Sequence, residues 1–167
     1  NKTATELVKK HHSADILIAV NVLPHVPNLN DFLKGIKKIL KPNGTVIVQF
    51  SAYLSKLISQ REFDTIYHEH LDYHTVAPLK EFFRSIGMEL FDTKRIDIQG
   101  GSIRNFVQIS GGKHKASSSI EELILLEKNE GLTNVSDLKT FQSRIDVIKS
   151  DLSQLLKDIK EKSRSIA

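Results

Sequence analysis

Cysteine is absent from all 167 residues, which excludes disulfides and thiolate metal sites within the chain and leaves no redox compartment to be read from sulfur. No apolar run approaches the roughly 20 residues of a membrane-spanning helix. No secretory signal pattern is visible either, so a cytoplasmic location and no membrane partner are expected. Charge of one sign is scarce: 24 Lys and Arg against 20 Asp and Glu leave a formal +4. Much of the basic excess lies at helical positions in the last third. No basic patch is interleaved with stacking aromatics, so nucleic acid is not an expected partner. Neither glycine nor proline occurs after Gly131, and nothing there marks a helix stop. What remains is 40% hydrophobic and 26% charged, the composition of a soluble globular domain with a real core. The chain opens at Asn1, in sequence that reads as mid-helix, and is expected to be a fragment.

The pattern of apolar residues predicts an α/β fold. Residues 3–12 read as an amphipathic helix. Ala14 to Val22 is a continuous apolar run that suits a strand buried on both faces, as in a parallel sheet. Pro24 and Pro27 break the chain after it. Asn30 or Asp31 can cap a helix whose inner face is Phe32, Ile36, Ile39 and Leu40. Lys41-Pro42-Asn43-Gly44 is a stop signal, and Thr45 to Phe50 is a second strand. Strand, helix and strand with short connections make a crossover unit. Residues 52–60 suit a helix, and Thr75 to Ile86 another, with Leu79, Phe82, Phe83 and Ile86 inward and Gly87 as terminator. Met88 to Ile98 and Ile103 to Ser110 read as an antiparallel pair across Gln99-Gly100-Gly101-Ser102, whose glycines are turn formers.

After Gly111-Gly112 the character changes. The expected division is therefore 1–112 and 113–167. Lys113 to Ser119 is polar and aperiodic, a linker, and Ile120 to Lys128 is a short helix. From Leu138 the apolar positions Phe141, Ile145, Ile148, Leu152, Leu155 and Ile159 follow in steps of three and four, the heptad rhythm. That helix should dock on another helix, a neighbouring domain or a second copy. Docking within the molecule is the plainer reading, and an oligomer through this helix stays open.

Chemistry concentrates in Phe63-Asp64-Thr65-Ile66-Tyr67-His68-Glu69-His70. A phenol, two imidazoles and a carboxylate occupy four consecutive positions, offering a base, a group to orient it and a hydroxyl. His68 also reads as a hydrogen-bonded structural histidine. His68, His70 and His74 have a spacing that a metal could use, since alternate residues of an extended segment share a face. The expectation is no metal, because imidazole pairs serve equally as acid–base sets. Asn21 and His25 lie just past a predicted strand end, where open α/β sheets bind ligands. Arg104 reads either as a phosphate grip or as a surface arginine on an edge strand.

Four segments together resemble one family. They are Asn21-Val22-Leu23-Pro24-His25-Val26, Phe63 through Leu71, Gly87-Met88-Glu89-Leu90-Phe91-Asp92, and Gly100-Gly101-Ser102-Ile103-Arg104. Their order and spacing are similar to those of the sugar C-methyltransferases, which use S-adenosylmethionine to methylate a carbon of nucleotide-linked keto-deoxyhexoses. The likeness runs from about residue 4 to about residue 165. It implies the second half of a class I methyltransferase (Rossmann-like) sheet with a terminal antiparallel hairpin and a C-terminal helical segment. By the same likeness a cysteine-rich zinc region, a glycine-rich cofactor loop and an acidic ribose ligand would precede Asn1, and a second α/β domain would follow Ala167. Zinc is expected only in that preceding region, and the fragment alone is expected to be inactive. Pro24, Gln49 and Ser51 depart from the family's usual residues, and Tyr73-His74-Thr75 stands where Tyr-Phe-Ser is more usual.

The resemblance implies roles. His70 would be the base. Glu69 would orient an imidazole or bind sugar hydroxyls, and Tyr67 would hydrogen-bond the keto group or the developing oxyanion. Asn21 and His25 would edge the cofactor, and His68 and Arg104 would meet the nucleotide-sugar substrate. Two other classes stay open on the residues alone. One is a binding or assembly module that dimerises through the heptad helix. The other is half of a nicotinamide-dependent oxidoreductase, since half of a parallel sheet does not identify its cofactor.

Overall fold

The computed structural model describes residues 2–62, 65–162 and 165. Phe63 and Asp64, which open the histidine-bearing octet, lie outside the described residues. Helix α1 (Lys2–His11) ends in Lys9, Lys10 and His11, cations that suit the negative end of a helix. Strand β1 (Ala14–Val20) follows, then a 3₁₀ turn at Leu23–His25. Helix α2 (Leu29–Ile39) is capped by Asn28, whose side chain accepts from the Asp31 amide at 3.0 Å. The cap is therefore not Asn30 or Asp31, which lie inside the helix. Asn28 qualifies because its backbone is still non-helical, at φ −127°.

Strand β2 (Leu40–Phe50) starts one residue after α2. Its pairing with β1 steps from Ala14↔Leu40 to Ile16↔Thr45, which loops out the turn residues Lys41 to Gly44. Helix α3 (Leu54–Gln60) ends at a left-handed Arg61, and α4 (Val76–Ser85) stops before Gly87 at φ 70°. Strands β3 (Met88–Ile96) and β4 (Ser102–Ile109) form the expected antiparallel hairpin.

The four-stranded sheet has the order β1-β2-β4-β3. β1 and β2 are parallel, whereas β4 runs antiparallel to both of its neighbours. Arg104 accordingly sits on an interior strand, not an edge strand. Nothing in the sequence of a hairpin says which of its strands meets the older sheet.

Strand periodicity divides the sheet into two unlike faces. One carries Ala19, Val46, Val48, Phe50, Ile103, Val107 and Leu90, and buries them under Leu33 and Ile36 of α2 and Val76, Leu79 and Phe83 of α4. On the other face of β1, Ile16, Ile18 and Val20 are 60%, 67% and 49% exposed. The expectation of a strand buried on both faces holds for only one. An apolar run records that cover is wanted, not that the same stretch of chain supplies it.

Beyond β4, the polar stretch is held down rather than free. Gln108 donates to the His114 carbonyl at 2.8 Å and accepts from its amide at 3.0 Å, and the Ser117 amide donates to the Phe91 carbonyl at 2.8 Å. Helix α5 (Ser119–Asn129) buries Ile120 in the core, so this compact unit runs on to Glu130. The second unit, Gly131–Ala167, contains α6 (Val135–Glu161). Among its described residues this is the one helix, and on its heptad stripe Leu152 and Leu155 are more than half exposed. Among the described residues no helix is long and apolar enough to cross a membrane.

Candidate active site

The sheet's carboxyl edge is where β1 and β2 run out, at Asn21 and Ser51. The Asn21 backbone is left-handed (φ 51°), and its amide donates to the Gln49 carbonyl at 2.7 Å. Its side chain accepts from the Ser51 amide at 3.2 Å and donates to Gln99 at 2.7 Å, bridging β2 to the β3–β4 turn. On the same edge, Gln49 Oε1 accepts from Arg104 Nε at 2.9 Å and from its Nη2 at 2.7 Å. Gln49 is only 5% exposed, so this bidentate contact fixes the guanidinium in place.

Two bonds dock the octet loop against the turn that follows β1. The Leu71 amide donates to the Pro24 carbonyl at 2.8 Å, and His25 Nδ1 donates to the Glu69 carbonyl at 2.8 Å. His25, His68, Glu69 and Leu71 line an open cavity of about 470 Å³. The His25 and His70 rings lie 5.0 Å apart.

His70 is half-buried and held from both sides. Its Nδ1 lies 2.9 Å from the Thr65 carbonyl, and its Nε2 lies 3.0 Å from the Tyr67 hydroxyl. A carbonyl oxygen only accepts, so Nδ1 carries the proton and Nε2 presents its lone pair to the phenol. Tyr73 shares the Thr65 carbonyl at 3.1 Å and stands edge-on to the His70 ring. Burial pushes the Tyr73 phenol above its ordinary value.

The other members of the octet behave differently. Glu69 contributes its backbone carbonyl to His25, while its carboxylate is exposed and lies 4.0 Å from His68 Nε2. It does not orient His70; the Thr65 carbonyl does. His68 is 90% exposed, and an ion pair that wet adds little. The sequence does not single out Thr65 or Tyr73 as partners of His70, and a main-chain acceptor such as the Thr65 carbonyl carries no side-chain signature.

His74 stands apart from both. It lies against Phe50, ring centroids 5.3 Å apart, and its Nε2 is buried without a partner. The three histidines therefore do not converge. Among the described residues no group of three or more His, Asp or Glu side chains could hold a metal ion. Burial holds the His74 imidazole below its ordinary value of 6.5, with Asp72 opposing. The folded chain thus takes up this proton less readily than the unfolded one. The stability it contributes is complete above pH 6.5 and is lost as the pH falls through the lower folded value. Urea midpoints should drop between pH 7.5 and pH 5.5, and His74→Phe should shrink that drop. An equal drop in both proteins would assign the acid sensitivity to other groups.

Residues 2–93 match a family model described as a methyltransferase domain, and residues 97–167 match one described as a C-methyltransferase C-terminal domain. Over 162 residues the chain is 25% identical to the C-methyltransferase NovU of Streptomyces niveus, covering 97% of this chain and 38% of that protein. The chain thus spans well under half the length of this relative. Among solved structures, a methyltransferase in complex with the Haloferax volcanii Trm112 methyltransferase activator has a TM-score of 0.50 at 18% identity, over 59% of this chain and 55% of that one. That likeness bears on the fold alone, and the fold is the class I methyltransferase half-sheet that the sequence implies.

Proposed function

Since the chain belongs to the methyltransferase domain family, we propose that it is the acid–base half of an S-adenosylmethionine-dependent C-methyltransferase acting on a nucleotide-linked keto sugar. The observation that carries this reading is the Tyr67–His70 pair, with a lone pair on Nε2 and a phenol 3.0 Å away. Carbon rather than oxygen as acceptor is supported by the C-methyltransferase model over residues 97–167 and by the relative's name.

The edge beside the pair fits a cofactor of this kind. A cavity at the end of β1 sets Leu71 among His25, His68 and Glu69, an apolar wall with polar groups suited to a ligand part adenosine and part amino acid. Asn21 and His25 would hold it there. When bound, S-adenosylmethionine supplies an electrophilic methyl group to the nucleophilic carbon.

The chain's own residues make that carbon nucleophilic. The Tyr67 hydroxyl turns from Nε2 to the keto oxygen of the substrate, which frees the nitrogen's single lone pair. His70 Nε2 then takes the proton from the carbon next to the keto group, the electron pair moves onto the keto oxygen, and the phenol donates to that oxygen as its charge develops. The Thr65 carbonyl holds the Nδ1 proton and stabilises the imidazolium. Arg104, aligned by Gln49 on the same edge, is the group for a substrate phosphate, and His68 and Glu69 face sugar hydroxyls from the exposed rim.

The test uses the intact protein in deuterium oxide with methyl-labelled S-adenosylmethionine and a nucleotide-linked keto-deoxyhexose. Deuterium should enter the carbon next to the ketone, and the label should arrive on that carbon. Label on oxygen, or tighter binding of NAD than of S-adenosylmethionine, would overturn the reading.

A further inference from the structure

Glu127 is a buried acid that the chemistry above does not use. It lies on α5, more than fifty residues beyond His70, and is 2% exposed. Its Oε1 accepts from the Tyr53 hydroxyl at 3.0 Å and from the Val76 amide at 2.7 Å. Three residues on, Glu130 accepts from the Ser55 hydroxyl at 2.5 Å. Tyr53 and Ser55 sit at the start of α3, and Val76 is the first residue of α4. The loop that carries Tyr67 and His70 is strung between these two helices.

Two features show that the contact does more than fill space. Thr75 occupies the cap position of α4 but makes no side-chain capping bond, so Glu127 caps this helix from a distant part of the chain. The far end of the loop is tied to the same place. Tyr53 pairs with His74, with the Leu54 amide on the His74 carbonyl at 3.0 Å and the His74 amide on the Ala52 carbonyl at 3.1 Å. Both ends of the loop therefore meet at one carboxyl group. Burial pushes that carboxyl up, against the Val76 amide and the Tyr53 hydroxyl, which lower it. Its Oε2 is buried without a partner. An apolar side chain would avoid that cost but would leave the Tyr53 hydroxyl and the Val76 amide unpaired.

We propose that Glu127 is a positioning residue for the Tyr67–His70 pair, fixing both ends of the loop that carries it through Tyr53 and Val76. The proposal rests on the reading of His70 as the base, and its first readout does not depend on that reading. In the intact protein with ¹⁵N-labelled histidine, the His70 ring nitrogens should report a protonated Nδ1 and an accepting Nε2. Glu127→Gln keeps an acceptor oxygen and should preserve that signature. Glu127→Ala should average it between the two tautomers.

Methyl transfer is the second readout. The alanine variant should lose about tenfold in kcat with KM changed less, since small misplacements of a catalytic group are costly, and the glutamine variant should stay within about twofold. A folded Glu127→Ala protein that keeps both the ring signature and kcat overturns the proposal. If that variant does not fold, Tyr53→Phe removes one of the two bonds with the smallest change in shape. An unaltered His70 signature in Tyr53→Phe then overturns it equally. Absence of methyl transfer by the wild-type protein would sink the functional reading instead, and the ring signature alone would decide the role of Glu127.

Discussion

His70→Ala in the intact protein is expected to lower methyl transfer by about 10²–10⁴-fold, the usual worth of a positioned general base. The expectation follows from the state of the ring. The Thr65 carbonyl fixes the proton on Nδ1, so Nε2 is the one basic nitrogen aimed at the phenol. Loss of the imidazole removes the acceptor of the carbon-bound proton and leaves the Tyr67 hydroxyl without its alignment. Tyr67→Phe should slow proton exchange and methyl transfer together, because both pass through the enolate whose oxygen loses its donor, but by less than His70→Ala, because the base remains. Glu69→Gln should change kcat little, because its carboxylate is exposed and neighbours His68, not His70. Single-turnover transfer and deuterium wash-in, measured on all three, give a ranking. Undiminished exchange in His70→Ala would remove it from the base role. A larger loss in Glu69→Gln than in His70→Ala would reassign that role to the carboxylate.

The parts of the molecule that depend on local pattern were readable in the chain, and the parts that depend on distant partners were not. Phe83 and Leu79 announce the inner face of α4 by spacing alone, and Gly87 announces its end. The density of titratable groups from Tyr67 to His70 marked where to look. The same octet could not say that Glu69 would lend a carbonyl rather than a carboxylate, because backbone acceptors leave no trace in side-chain identity. Asn28 is hidden as the cap for a related reason: three residues of capping type lie within four positions, and only the backbone chooses between them. Glu127 was less visible still. It reads as one more charged residue on a short helix, and nothing local hints that it caps a helix some fifty positions upstream.

Phe50→Ala should destabilise the chain by about 3–5 kcal/mol, the range for truncating a large aromatic in a packed interior. Phe50 has no exposed surface, ends β2, pairs with Ile103 on β4 and stands edge-to-face with His74. Its ring thus joins the central strands to the segment that leads from the octet into α4. Domains of this size are stable by only about 5–15 kcal/mol, so the loss is a large part of the whole. The comparison that isolates burial from strand propensity is Ile18→Ala. Ile18 lies on β1 of the same sheet but on the open face, 67% exposed, and its truncation should stay within about 0.5 kcal/mol. Phe50→Leu, which keeps most of the volume, should cost less than the alanine variant. Urea denaturation at pH 7.5 with unchanged slopes would read these differences directly. The hydrogen bonds around His74 pass through Ala52 and Leu54, so the cavity in Phe50→Ala should also speed amide exchange at residues 52–54 and 74. Equal losses in Phe50→Ala and Ile18→Ala would mean that the sheet buries both faces alike, and the one-sided core would be wrong.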